Sequence, residues 1–333
     1  MDLTTSYLNL TLRNPLVASA GPIAGTVAGV RRLADSGVAA VVLPSLFEEQ
    51  IAAEEERDVR LGEAGSDSFA EALSYLPALD DHAGLRQYLS LVERAAAAVD
   101  VPVIASLNGA SPGGWTTHAA ALASAGAAAI ELNIYYLPGD ALASGREVEQ
   151  RHLDILAAVR SAVTIPVAAK LGPYFSSAGE IAVRLDQAGA DGLVLFNRFM
   201  QAGIDPEALT VSSRIQLSSP FEAGLPRSWI ARLRGQVRAS LAASTGVEDA
   251  ADVAAYLLAG ADVVMTTSSL LRHGPGHAEV LLDGLTGWLQ RKGFTAVSQA
   301  RGLLAASAAG SAPGYGRAGY LQAIQDATGA YGP

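Results

Sequence analysis

The chain has 333 residues, half of them hydrophobic, which suits one large α/β barrel or two ordinary domains and is too apolar for a disordered chain. A formal net charge of −10 offers no attraction to phosphate backbones, and the one basic cluster, "RSWIARLRGQVR" from Arg227 to Arg238, is short, so nucleic acid is not an expected partner. With no cysteine there are no disulfides, no thiolate catalysis and no cysteine-ligated iron–sulfur cluster, and any redox chemistry needs a borrowed cofactor.

The first residues, "MDLTTSYLNLTLRNP", have neither a basic stretch nor an apolar core of a signal peptide. No apolar run approaches the roughly 18 residues that span a bilayer, so a cytoplasmic location without a membrane partner is expected. "NPLVASAG" then reads as a strand over 15–20. "LADSGVAAVVL" closes a helix on Gly37 and enters a strand over 39–43. A long connection follows from Glu48 to Val99; its "EEQIAAEEER" reads as a solvated helix face. "VPVIASLN" enters a strand over 103–108 through a proline that stops the preceding helix.

The same grammar continues along the chain. Gly126 in "LASAGAAAIEL" leads to a strand over 129–133, and "IPVAAKLG" supplies one over 167–171. Gly189 in "LDQAGADGLVLF" leads to 192–196, and a second long connection runs from Arg198 to Gly235. "VRASLAAS" gives a strand over 237–243, and Gly260 in "LLAGADVVM" leads to 262–266. Eight βα units predict a (β/α)8 TIM barrel, a single domain over 1–333 with long insertions after strands 2 and 6. A doubly wound sheet uses the same glycine-capped units and is the alternative architecture.

In a barrel the C-terminal strand ends share one mouth, and here they deliver Ala18, Ser19, Ala20 and Gly21, then Pro44 and Ser45, Asn108, Asn133, Lys170, Asn197, Thr245, Gly246 and Val247, and Thr267 and Ser268. Asparagine offers both a donor and an acceptor, which suits a flat heteroaromatic ring with carbonyls and ring N–H groups. "STGV" after strand 7 and "TTSS" after strand 8 can direct N–H groups and hydroxyls at an anion. Together they point to a phosphorylated planar cofactor such as FMN, although Ser/Thr at a helix start also serves as an ordinary N-cap. Lys170 reads either as a rim residue with its head in water or as a buried cation stabilising negative charge on a reduced ring. The five histidines form no metal pattern, since His273 and His277 are separated by a Gly-Pro-Gly that breaks the helix a ligand pair would need.

The segments "LRNPLVASAG", "VVLPSLFEEQ", "PVIASLNG", "AIELNIYY", "PVAAKL", "GADGLVLFNR", "STGV" and "AGADVVMTTSSLL" together resemble the dihydroorotate dehydrogenase superfamily, closest to the subgroup called dihydroorotate dehydrogenase-like proteins. The C-terminal "QARGLLA…RAGYLQAI" is similar to that subgroup's tail. The resemblance implies an FMN-carrying barrel that oxidises or reduces a C–C bond next to a carbonyl in a small ring. Ala18 to Gly21 would then contact the flavin through backbone, Lys170 would lie against it, and Asn108 and Asn197 would bond flavin or substrate. Thr245, Gly246, Val247, Thr267 and Ser268 would hold the cofactor's phosphate end, and Asn133 falls at a substrate-binding asparagine. A homodimer is also implied, and Phe199, Met200, Ile204, Phe221 and Trp229 make the second insertion more apolar than a solvent loop requires.

The departures from the family pattern bear on substrate. Counting from Asn133, the Cys or Ser base of the true dihydroorotate enzymes is Tyr136 here, and a second substrate asparagine is Pro138. The strand-2 lysine is Pro44, and a loop asparagine upstream of the Leu76–Pro77 pair is Ala72. A phenol is a poor base at neutral pH and a ready proton donor to a carbanion or enolate. Tyr136 as proton donor, with Tyr135 against the substrate, therefore favours reduction of an activated C=C bond in a small, dihydropyrimidine-like substrate other than dihydroorotate. Tyrosines at a barrel mouth also pack simply as walls. A non-catalytic flavin- or partner-binding barrel and an aldolase-like barrel with Lys170 as Schiff base are the other readings. NAD(P)H, fumarate or a partner protein all remain open as electron donor or acceptor.

Overall fold

The computed structural model describes residues 1–51, 84–109, 115–136, 139, 141–198, 201–212, 215–306 and 313–331. Ala72, Leu76, Pro77, Pro138, Phe199 and Met200 lie outside the described residues. Eight parallel strands close into a barrel: β3 (Leu16–Ala18), β4 (Ala40–Phe47), β5 (Val103–Asn108), β6 (Ala129–Asn133), β7 (Val167–Leu171), β8 (Gly192–Leu195), β11 (Ser240–Ser244) and β12 (Val263–Thr266). The glycine-capped grammar is the reason. Gly37, Gly126, Gly189 and Gly260 have φ of 96°, 97°, 97° and 119°, the left-handed region that ends a helix and turns the chain into the next strand.

Helices α1 (Val27–Asp35), α2 (Leu85–Ala96), α3 (Trp115–Ser124), α4 (Gly145–Ala162), α5 (Ala178–Gln187), α6 (Gly224–Leu233) and α7 (Ala250–Ala259) surround the strands. The short α8 (Ser268–His273) and the longer α9 (His277–Arg291) follow β12. Several helices start at caps legible as residue types. Ser144 and Glu147 form a capping box on α4, and Asp249 accepts from Ala251 N and Asp252 N on α7. The helices bury an outer core against the strands, in which Leu33, Val92, Leu122, Ile155, Ile181 and Leu257 are typical members.

A second, inner core fills the barrel floor: Val17, Val42, Ile104, Ala129, Ala168, Val194, Ala242 and Met265 meet Tyr7, Leu8 and Leu12. The last three come from an antiparallel hairpin of β1 (Thr5–Tyr7) and β2 (Leu10–Leu12) that plugs the N-terminal end. Gly192 lies close beneath it: a Cβ there would stand 2.6 Å from Leu8 Cδ2, so a larger residue would require the Leu8 side chain to shift. The insertion after β8 carries an exposed hairpin, β9 (Gly203–Asp205) paired with β10 (Thr210–Ser212), and then leads into α6. Among the described residues no helix is long and apolar enough to cross a membrane.

Candidate active site

Strand register assembles the mouth. Asn108 pairs with Asn133 and Asn133 with Lys170, so these three share one level at the C-terminal ends of β5, β6 and β7. Side chains two residues apart on a strand face the same way. Ala129 belongs to the inner core, so Glu131 and Asn133 beyond it also face the barrel interior; Ala168 places Lys170 in the same way. All three mouth residues are buried. Asn197, at the end of β8, donates from Nδ2 to Asn133 Oδ1 at 2.7 Å, which brings the fourth predicted polar residue into the group.

Lys170 is a buried cation, 6% exposed, and its Nζ donates to Glu131 Oε1 at 3.1 Å. Glu131 is 1% exposed, and among the described residues its Oε2 has no hydrogen-bond partner. This neighbourhood is the reverse of what a Schiff-base lysine needs, and the aldolase reading loses its support. Burial first, and then the Glu131 charge, push the Tyr7 phenol well above its ordinary value; burial and Glu131 do the same to Tyr88. The Tyr88 hydroxyl donates to Ser106 O at 3.2 Å and accepts from Ser106 N at 2.9 Å, while Ser106 Oγ and Ser45 Oγ lie 2.8 Å apart.

The turns after β11 and β12 lie close together. Thr245 and Gly246 both have positive φ, 85° and 74°; Thr245 Oγ1 donates to Phe196 O at 3.1 Å and Thr245 O accepts from Tyr256 OH at 2.6 Å. A β-branched residue at positive φ is uncommon and persists only where surroundings over-determine it. Gly246 N donates to Ser218 Oγ at 3.2 Å, and Ser218 N and Oγ each lie 3.0 Å from Ser268 Oγ. Ser218, from the β8 insertion, thus joins the two turns. Val247 is buried, Thr267 is the N-cap of α8, and a Cβ on Gly21 would stand 2.2 Å from Thr267 Oγ1. Ser19 N donates to Thr266 O at 3.0 Å, and the Ala18 side chain belongs to the outer core, leaving its backbone at the strand end; Ala20 packs against the inner core.

Tyr135 and Tyr136 are both half-buried. The Arg151 guanidinium, on α4, lies 4.2 Å from the centroid of the Tyr136 ring, a cation–π contact that fixes the ring against the following helix. Pro44 lies within β4, where the register with β5 shifts between Val42 and Ser45; a proline has no N–H to give to the ladder, and the irregularity accommodates it. His273 Nε2 lies 2.6 Å from Glu248 Oε1 and His277 Nε2 lies 2.9 Å from Glu248 O. Among the described residues no group of three or more His, Cys, Asp or Glu could hold a metal.

Sequence reasoning missed Glu131 and Ser218. The first was hidden inside "AIELN", although a charged residue within an otherwise aliphatic strand is itself a signal. The second precedes the Ser219–Glu222 capping box, a marker of helix start that says nothing of a contact 50 residues away.

The family model described as "Dihydroorotate dehydrogenase" matches residues 2–289. The chain is 30% identical over 217 residues, 63% of its length and 70% of the relative's, to an Aeropyrum pernix protein with a provisional dihydroorotate dehydrogenase A (fumarate) name. It is 28% identical over 308 residues, 90% of its length and 98% of the relative's, to the dihydroorotate dehydrogenase B (NAD(+)) catalytic subunit of Methanothermobacter thermautotrophicus. The subunit of the same name from Methanocella arvoryzae is 28% identical over 299 residues, 88% of this chain and 94% of the relative. A closed eight-stranded barrel with its polar residues gathered at the C-terminal strand ends, matched over nearly its whole length, places this chain in the dihydroorotate dehydrogenase family.

Proposed function

We propose that the protein is an FMN-dependent oxidoreductase acting on a C–C or C=C bond next to a carbonyl in a small, dihydropyrimidine-like ring, and that dihydroorotate is not its substrate. The observation that supports this best is the buried row of Asn108, Asn133 and Lys170 at the strand ends, joined by Asn197. The donor set fits a flavin: amides for ring carbonyls and N–H groups, and a cation for the end where negative charge collects.

FMN, when bound, supplies two-electron redox chemistry. Ala18, Ser19, Ala20 and Gly21 offer backbone to its ring, Asn108 and Asn197 orient it, and Lys170 contributes positive charge. Thr245, Gly246, Val247, Thr267 and Ser268 hold its phosphate, and Ser218, whose hydroxyl accepts from Gly246 N, joins that set. Asn133, Asn197 and Tyr135 hold the substrate. Tyr136 gives a proton to the substrate carbon that does not receive hydride, a role for which a phenol is better suited than for abstracting a carbon-bound proton. Reduction of an activated C=C bond is therefore the favoured direction.

The test is optical. The purified protein should be yellow and should release FMN on denaturation. Dihydroorotate should leave the flavin absorbance unchanged under conditions where dithionite bleaches it. Colourless protein even after soaking with FMN would overturn the cofactor, and rapid bleaching by dihydroorotate would overturn the exclusion of that substrate.

A further inference from the structure

Resting on the reading that FMN lies over the strand ends, we propose that Glu131 is a positioning residue that holds Lys170 and sets how much positive charge this lysine presents to the flavin. Glu131 lies two residues before Asn133 on β6, one level deeper in the barrel, in register with Ser106 on β5 and Ala168 on β7. Its Oε1 accepts from Lys170 Nζ at 3.1 Å, and among the described residues this is the ion pair that Lys170 makes. The neighbouring hydroxyls are committed elsewhere: Ser106 Oγ to Ser45 Oγ, and Tyr88 OH to the Ser106 backbone.

The pair is costly as a structural device. Two buried charges give up their hydration, and a well-packed apolar pair of similar volume is commonly as stable or more so. Among the described residues no donor reaches the buried Oε2 of Glu131, whereas buried polar atoms ordinarily find partners. A carboxylate kept under those terms has its clearest use in what it does to the cation above it. With Glu131 ionised, Lys170 and Glu131 together are neutral, and the lysine gives a reduced, negatively charged flavin less stabilisation than an uncompensated ammonium would. Removing the carboxylate charge while preserving its shape frees the full cation.

Two sets of measurements test this. In FMN-loaded protein, Glu131→Gln should tighten reduced relative to oxidised FMN about tenfold, a rise of about 30 mV in the two-electron midpoint potential. In the Lys170→Met background the same substitution should leave the potential unchanged, because the proposed effect of Glu131 on the flavin runs through the lysine. An equal rise in both backgrounds, or none in either, overturns the proposal. In FMN-free protein, Glu131→Gln and Lys170→Met should each lower Tm, and the double variant should lose less than their sum, since each single change leaves its buried polar partner without the bond that satisfied it. Additive losses overturn the pairing. If the wild-type chain takes up no FMN, the flavin reading falls, and the thermal cycle alone decides whether Glu131 holds Lys170.

Discussion

Arg151 covers one face of the Tyr136 ring at 4.2 Å, so this tyrosine is clamped by a cation from the helix that follows its strand. A clamped ring keeps its hydroxyl in one place, as a proton donor must. Tyr136→Phe preserves the stack and removes only the hydroxyl. Substrate turnover should fall about 10²-fold to 10⁴-fold, the usual span for general acid–base catalysis, while flavin reduction is little changed. Rapid-mixing absorbance separates the two steps, and equal turnover in the variant would make the ring a wall.

Gly246 tests the joint between the strand-7 turn and the β8 insertion. Its φ is 74°, and an added Cβ would stand 2.7 Å from Ala223 N and 2.9 Å from Ser219 O, both backbone atoms with little freedom to move. Gly246→Ala should destabilise the fold by about 2 kcal/mol or more in urea unfolding. If the joint serves the phosphate as proposed, FMN affinity should fall with it while riboflavin affinity falls less. Equal losses for both ligands would remove the phosphate from this turn.

The barrel was legible because its punctuation is chemical: four glycines supply the left-handed helix ends, and the aliphatic runs beyond them can only be buried strands. Strand positions followed, with β4 running on to Phe47 past the expected end because its irregular register absorbs Pro44. The mouth residues were legible for the same reason, since a strand end fixes where Asn108, Asn133 and Lys170 stand. The hairpin plug was not. Its Tyr7 and Leu8 are ordinary apolar residues in the sequence, and their burial follows from the open barrel floor far along the chain at Gly192. Glu131 and Ser218 were illegible in the same sense, for each acquires meaning only from a partner on another strand or loop.

At the opposite end of the barrel, Asp262 gathers three elements. It accepts from Arg234 Nη1 at 3.0 and 3.2 Å and from Leu241 N at 2.8 Å, and Arg301 Nη1 lies 3.0 Å from its Oδ1. Asp262→Ala strands a buried amide and two guanidinium groups, and should cost about 3 kcal/mol. Because this is the N-terminal face, the flavin spectrum and turnover of the folded fraction should stay as in the wild type.

His152 gives the stability a pH dependence. It is buried on α4 with Nδ1 2.8 Å from Val148 O, and burial holds its pKa below the ordinary value of 6.5, with the Val148 contact opposing and Arg151 assisting. Between the lowered folded value and 6.5 the unfolded chain binds more protons, so stability is full above that range and is lost as pH falls through it. Tm should decline on acidification from about pH 7 to about pH 5, and His152→Gln should flatten that decline. An unchanged slope in the variant would assign the acid sensitivity to other groups.

The exposed hairpin after β8 carries the expectation of a homodimer. Ile204 is 79% exposed and Phe221 95%, and Leu209, Val211 and Ile215 are also in solvent, so hairpin and insertion together present exposed apolar side chains, as protein interfaces do. Burying each such side chain contributes about 1.5–3 kcal/mol, and a standard interface needs about 800 Å² per partner, which a hairpin of this size can centre. Light scattering should therefore give a dimer. The double variant Ile204→Ser with Phe221→Ser should give a monomer, since both side chains leave the fold's own core untouched. A wild-type mass that stays monomeric across a wide concentration range would reject the dimer, and a double variant that remains dimeric would move the interface to another face.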